Sequence, residues 1–273
     1  PSSTMNKLFS AKRFGKYFSY DLKHCMDTFG LSLLILGLMP MITFFFASII
    51  SFIVSGGWVP DNTVNRIMAA IIAVVIAGLM FPVKAYGEIT DKKAGSNFLM
   101  VPASTFEKWL SGSLMTLVIV PLALLVLLLG VDLVLGLLLP SHYGEALLLQ
   151  EWFRPIICIP GEYIELPVDI RINVGLLFWV SWASSVLCFL LGAIYFKKSK
   201  IAKTFLAIII TGMLFSILSA PFTSVMPGLI ERIQEGDPER VLRRLWTAIW
   251  LIDGIEIVIF LAIYYFRLRT IKH

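Results

Sequence analysis

The stretch WLSGSLMTLVIVPLALLVLLLGVDLVLGLLLP, from Trp109 to Pro140, carries a single charge, Asp132. About 20 apolar residues suffice to cross the hydrocarbon core of a bilayer, so this segment predicts a spanning helix with length to spare. The whole chain has the same character. Of its 273 residues 58% are hydrophobic and 15% charged, with a mean hydropathy of +0.85, whereas soluble domains carry about 25% charged residues. That composition predicts a membrane protein and excludes a large soluble catalytic domain.

Working outward, the other charge-poor stretches give spans near 31–54, 67–85, 109–139, 174–196, 203–220 and 246–266, the last interrupted by Asp253 and Glu256. The expected fold is an all-α membrane protein of six transmembrane helices filling residues 28–266. Gly56, Gly57 and Pro60 are placed to end the first span, and Ser219-Ala220-Pro221-Phe222 to break the fifth. Residues 1–4, ahead of Met5, read as a tag remnant. Residues 5–27 are basic and aromatic, with no hydrophobic core followed by a small-residue cleavage site, so no cleavable signal peptide is expected. Within them Phe14, Phe18 and Leu22 share one helical face with Lys12, Arg13, Lys16 and Lys23 between, which predicts an amphipathic helix in the membrane interface.

Orientation follows from the basic residues. Sixteen of the 23 Lys and Arg fall in the leader, in the loops after the second and fourth spans and in the tail 267–273. The other seven, Arg66, Arg154, Arg171, Arg232, Arg240, Arg243 and Arg244, fall on the opposite side. Both termini are therefore expected in the cytoplasm, with an exported loop at 141–171 and short outer helices at 222–245. The net charge of +5 then reports topology, and no nucleic-acid partner is expected. Cys25, Cys158 and Cys188 lie far apart, without metal-ligand spacing, so neither a disulfide framework nor a metal site is predicted.

The loop between the second and third spans runs from Glu88 through Gly95 and the apolar Phe98-Leu99-Met100 to Pro102-Ala103-Ser104, then Thr105-Phe106-Glu107-Lys108. Ser104 and Glu107 have the spacing of a capping box, and Pro102 suits a helix start. The apolar run needs a buried contact, either within this chain or with a partner.

These residues resemble the permease subunits of type 2 ABC exporters, in the divergent branch whose cytoplasmic loop carries Pro-Ala-Ser-x-x-Glu-Lys. The resemblance implies a coupling segment, made here of Glu88, Gly95, Phe98, Leu99, Met100, Pro102, Ala103, Ser104, Glu107 and Lys108, that docks on a separate ATPase subunit. It also implies a homodimer or pseudo-dimer of permeases in a bacterial inner membrane, working by alternating access. ATP and Mg would sit on the partner ATPase, with no cofactor on this chain. The segment 219–246 is similar to the outer-leaflet helices of the same permeases, and equally to a solvated helical hairpin.

Asp132, Asp253 and Glu256 are the acids inside predicted spans, where a charge is costly unless it faces a bundle interior or a watery cavity. Two readings stay open: acids of a transport route, or acids each satisfied by a hydroxyl or an arginine such as Arg243. Small residues recur at Ser181, Ser185, Cys188 and Gly192 and at Gly212, Ser216 and Ser219, as close helix packing requires. No phosphate-binding GxxxxGK[ST], HExxH or GxSxG occurs, so the chain is not expected to be an enzyme, and any ATP hydrolysis belongs to another subunit. A non-transporting envelope sensor or assembly subunit fits the same sequence, and less well an intramembrane enzyme. A secondary carrier would show inverted sequence symmetry, which the two halves lack.

Overall fold

The computed structural model describes residues 9–57, 63–90, 95, 98, 100–143, 156–157, 171–172, 174–223 and 238–271. Leu99, the tag remnant, Cys158 and Trp152 with most of the loop 141–171, and residues 224–237 of the outer segment lie outside them. The described chain is all-helical apart from Ile156–Ile157 pairing antiparallel with Arg171–Ile172.

In order, the helices are α1 (Ala11–Gly37), α2 (Met39–Ser55), α3 (Thr63–Tyr86), α4 (Thr105–Leu114), α5 (Val120–Leu138), the single turn α6 (Pro140–Tyr143), α7 (Val174–Tyr195), α8 (Lys200–Thr223) and α9 (Pro238–Thr270). A 3-10 turn, Gly87–Thr90, extends α3, and a π turn, Met115–Ile119, joins α4 to α5. Among the described residues, Asn65–Thr90 and Thr105–Leu138 are long and apolar enough to cross a membrane, and α1 with α2 makes a third candidate, bent by 43°.

The bends have local causes. No break falls near residue 27; α1 runs unbroken from the basic leader into the apolar stretch, because nothing between Ala11 and Gly37 stops a helix. The kink comes at Leu38, ahead of Pro40 in the first turn of α2, where the missing proline amide costs nothing. Gly56 ends α2 in the left-handed conformation, φ 72°, its amide donating to the Phe52 carbonyl, as its sequence position predicts. Pro221 does not break α8, which continues to Thr223. It sits in the last turn, so the bond that it denies the Ile217 carbonyl comes with only two residues of helix beyond it. Pro121 follows the π turn, whose wider spacing accommodates a ring that an α-helix would push against a carbonyl.

The core is organised around α3. Ala70, Ala73, Val74, Ala77 and Phe81 are buried on one stripe of it, with the i, i+3, i+4, i+7 spacing of an amphipathic helix. This small-residue stripe admits α7 closely. The Trp182 indole donates to the Val74 carbonyl at 3.1 Å, and a Cβ on Gly78 would lie 2.7 Å from that indole nitrogen. α1 and α2 pack on α3 as well, α7 also carries α8 and α9, and α9 leans on α4. Gly192 in the small-residue row of α7 faces Thr204 of α8, and Gly112 faces the Tyr264 hydroxyl.

Candidate functional site

The Pro-Ala-Ser-x-x-Glu-Lys segment is built as a junction. Ser104 is the N-cap of α4. Its hydroxyl accepts the Glu107 amide at 3.2 Å, and Glu107 Oε2 accepts the Ser104 amide at 2.8 Å, the reciprocal box that the spacing predicts. The same carboxylate does more. Oε1 accepts the amide of Ser10, the residue preceding α1, at 2.9 Å. Arg13 closes on it with two bonds, Nε to Oε2 at 2.7 Å and Nη2 to Oε1 at 2.9 Å. Glu107, wholly inaccessible to solvent, thus sits at the N-terminal ends of two helices, where backbone dipoles favour a negative charge, and ties them together.

Lys108 also turns inward. Its Nζ donates to the Phe98 carbonyl at 2.6 Å and lies 4.6 Å from that ring's centre. At the other end of the segment Lys200 donates to the Gly87 carbonyl. Gly95 is buried, and Phe98 and Ala103 are half-buried. Phe98 packs against the core, so part of the apolar run meets its need within the chain. Met100, 79% exposed, projects outward, and Pro102 and Glu88 are exposed too. The Glu-Lys pair is therefore internal scaffolding, and Met100, Pro102 and Glu88 form the presented surface.

Behind this junction Asp21 of α1 is buried. Its Oδ2 accepts the Ser111 hydroxyl at 2.5 Å and the Tyr86 hydroxyl at 3.2 Å, and the Cys25 thiol donates to the Tyr86 oxygen at 3.8 Å. α1, α3 and α4 thus meet in a polar knot that the sequence reading missed. The signal was present: Tyr17, Asp21, Cys25 and Phe29, all buried, recur every fourth residue, beside the Phe14, Phe18 and Leu22 row.

Asp132 lies 25 residues along the same rod from Glu107, on the order of 35 Å at the α-helical rise. Arg66 at the start of α3 meets it, Nη1 to Oδ1 at 3.2 Å, with both side chains 3% exposed. The Tyr143 hydroxyl donates to the same oxygen at 2.9 Å, and the Arg66 guanidinium lies 4.4 Å above the Tyr143 ring. Asp132 is therefore satisfied by an arginine and a hydroxyl; the arginine is Arg66, and Arg243 lies elsewhere in sequence on α9. Asp253 and Glu256 are half-buried on α9, a helix that packs on α7 and α4, so nothing gathers the three acids into one cluster among the described residues. No group of three or more His, Cys, Asp or Glu side chains suited to a metal occurs among those residues either.

No family model, no curated protein and no solved structure matches the chain.

Proposed function

We propose that the chain is the permease subunit of an ATP-driven ABC exporter: six spans, both termini cytoplasmic, in a bacterial inner membrane. It works as a homodimer or pseudo-dimer with a separate ATPase that carries ATP and Mg. ATP-driven closure of the ATPase pair is transmitted through residues 88–108, and the spans exchange inward and outward openings. The observation that supports this reading best is the build of that segment. It is pinned by Lys200 at Gly87 and by Lys108 at Phe98 and joined to α1 through Glu107, while Met100 is left projecting. A pinned segment with an exposed apolar tip is suited to receive a push and pass it to two helices at once.

The test is a mild-detergent pull-down of the full chain from its own membranes, identifying co-purifying proteins by mass spectrometry, with Met100→Asp and Pro102→Ala alongside. A Walker-type ATPase recovered with the wild type and lost with Met100→Asp is the expected result. Recovery of the chain alone, or with envelope proteins and no ATPase, overturns it. That outcome would move the assignment to the second reading, a non-transporting membrane sensor or assembly subunit, which the neutralisation of Asp132 by Arg66 favours. An intramembrane enzyme ranks lower still, since its acids are not gathered.

A further inference from the structure

Between α1, the end of α3 and the 3-10 turn lies a cavity of about 240 Å³. It is graded from floor to mouth. Tyr17, Asp21 and Tyr86 form a buried floor, and Tyr20, His24 and Glu88 form a mouth that is exposed or half-buried. Asp21 is 4% exposed. Both hydrogen bonds that it accepts come from neutral hydroxyls, and both land on Oδ2. No lysine, arginine or histidine forms an ion pair with it among the described residues, although the two other buried acids, Glu107 and Asp132, are each matched by an arginine. His24, one turn further along α1, forms none with it either. A buried carboxylate without an ion-pair partner is expensive: burial pushes the Asp21 carboxyl up, against the two hydroxyls and the nearby His24 that favour its charge, and it faces a cavity lined in part by Tyr17, Tyr20, Tyr86 and Phe98.

We infer that this cavity is a binding site for a small organic ammonium group. A carboxylate floor supplies the counter-charge, and aromatic faces attract a cation within about 6 Å of the ring centre. Glu88 at the mouth adds a second negative charge on the entry side. The volume lies below the roughly 300–1,000 Å³ of pockets for drug-sized molecules, which fits an ammonium headgroup rather than a larger ligand. Such a group is available as the headgroup of an amine-bearing phospholipid or as a free amine. Because Ser111 of α4 donates to the same carboxylate, an ammonium on Asp21 would also brace α1 against α4. The assignment concerns this chain alone and stands with or without a partner ATPase.

The test uses the purified full chain in nanodiscs of phosphatidylglycerol, titrated with choline and with ethanolamine. The readouts are thermal shift and tyrosine fluorescence, and 3,3-dimethyl-1-butanol serves as the uncharged match for choline. The expected result is a saturable response to an ammonium and none to the alcohol. Asp21→Asn should weaken it about tenfold or more, and Tyr20→Ala and Glu88→Gln, at the mouth and clear of the polar knot, about threefold to tenfold. If Asp21→Asn does not fold, the two mouth variants carry the test. Repeating the titration with phosphatidylethanolamine in the disc separates the sources: a response abolished by the lipid assigns the site to a headgroup, and one that persists assigns it to a free amine. No saturable response to either ammonium, an equal response to the alcohol, or mouth variants that bind like the wild type overturns the inference.

Discussion

Arg13 and Glu107, 94 positions apart, meet through two parallel bonds of 2.7 and 2.9 Å, on a carboxylate that is already capping α4. Glutamine can keep the cap, since a capping box accepts either residue, but it cannot keep the charged two-point contact. In Glu107→Gln, amide hydrogen exchange should rise in the first turns of α1 and stay unchanged over residues 105–114. Glu107→Ala should raise both. Equal protection of α1 in the wild type and Glu107→Gln would show that the ion pair does not hold the helix. Ser104→Ala, which loses the cap alone, should cost about 0.5–2 kcal/mol.

Breaking the other buried pair should cost more. Asp132→Ala leaves the Arg66 guanidinium inaccessible without its carboxylate, a loss of about 3–5 kcal/mol by analogy with other buried pairs, read as thermal stability in detergent. The double variant Arg66→Met with Asp132→Leu should recover much of it, because removing both charges removes the desolvation penalty. A single variant that melts with the wild type would contradict this account.

Two kinds of helical glycine among the described residues respond oppositely to a methyl group. A methyl group at Gly78 meets the Trp182 nitrogen at 2.7 Å and Val186 Cγ2 at 2.8 Å. Gly78→Ala should therefore lower stability by about 1–3 kcal/mol, as overpacking does. At Gly15 and Gly130 a Cβ meets nothing within 4 Å, so Gly15→Ala and Gly130→Ala should raise stability by about 0.5–1 kcal/mol through helix propensity. Melting curves of the three variants side by side check both signs.

Thr116 is fully buried, and its hydroxyl has no hydrogen-bond partner among the described residues. Valine has nearly the same shape and removes the unsatisfied oxygen, so Thr116→Val should raise the melting temperature, with a gain of about 1 kcal/mol. A fall in stability would reveal a bond made by that hydroxyl in the membrane-embedded protein.

How far the sequence could be read depended on the range of each contact. The Ser104 and Glu107 box and the Gly56 stop are local, set within one turn of chain, and spacing alone reveals them. The smooth run of α1 was missed because a change from basic to apolar residues alters what surrounds a helix without ending it. The second role of Glu107 toward Ser10 and Arg13, and the choice of Arg66 for Asp132, depend on which helices pack together, and a residue's own neighbourhood carries no trace of that. Arg66 in particular was counted for the side of the membrane it marks, a reading that takes an arginine to be at the surface. Asp21 stood among lysines and aromatics that read as an interfacial face, and its burial appears only once α3 and α4 are laid against that face.

The π turn at Met115–Ile119 sets the phase of the long rod that contains it. One row among the rod's buried positions runs Lys108, Gly112, Thr116, Val120, Leu124, Leu128 and Asp132, spaced by four. A regular α-helix repeats every 3.6 residues, so such a row would drift by about 40° at each step and wind off its neighbours. A turn closed by i→i+5 bonds is underwound and takes back part of that drift midway. Rewinding those five residues as ordinary α-helix, with none removed, would swing one half against the other by roughly the 100° of one residue. Glu107 and Asp132 could then no longer face Arg13 and Arg66 at the same time, so the wide turn acts as a vernier that keeps the two ends of the protein in register.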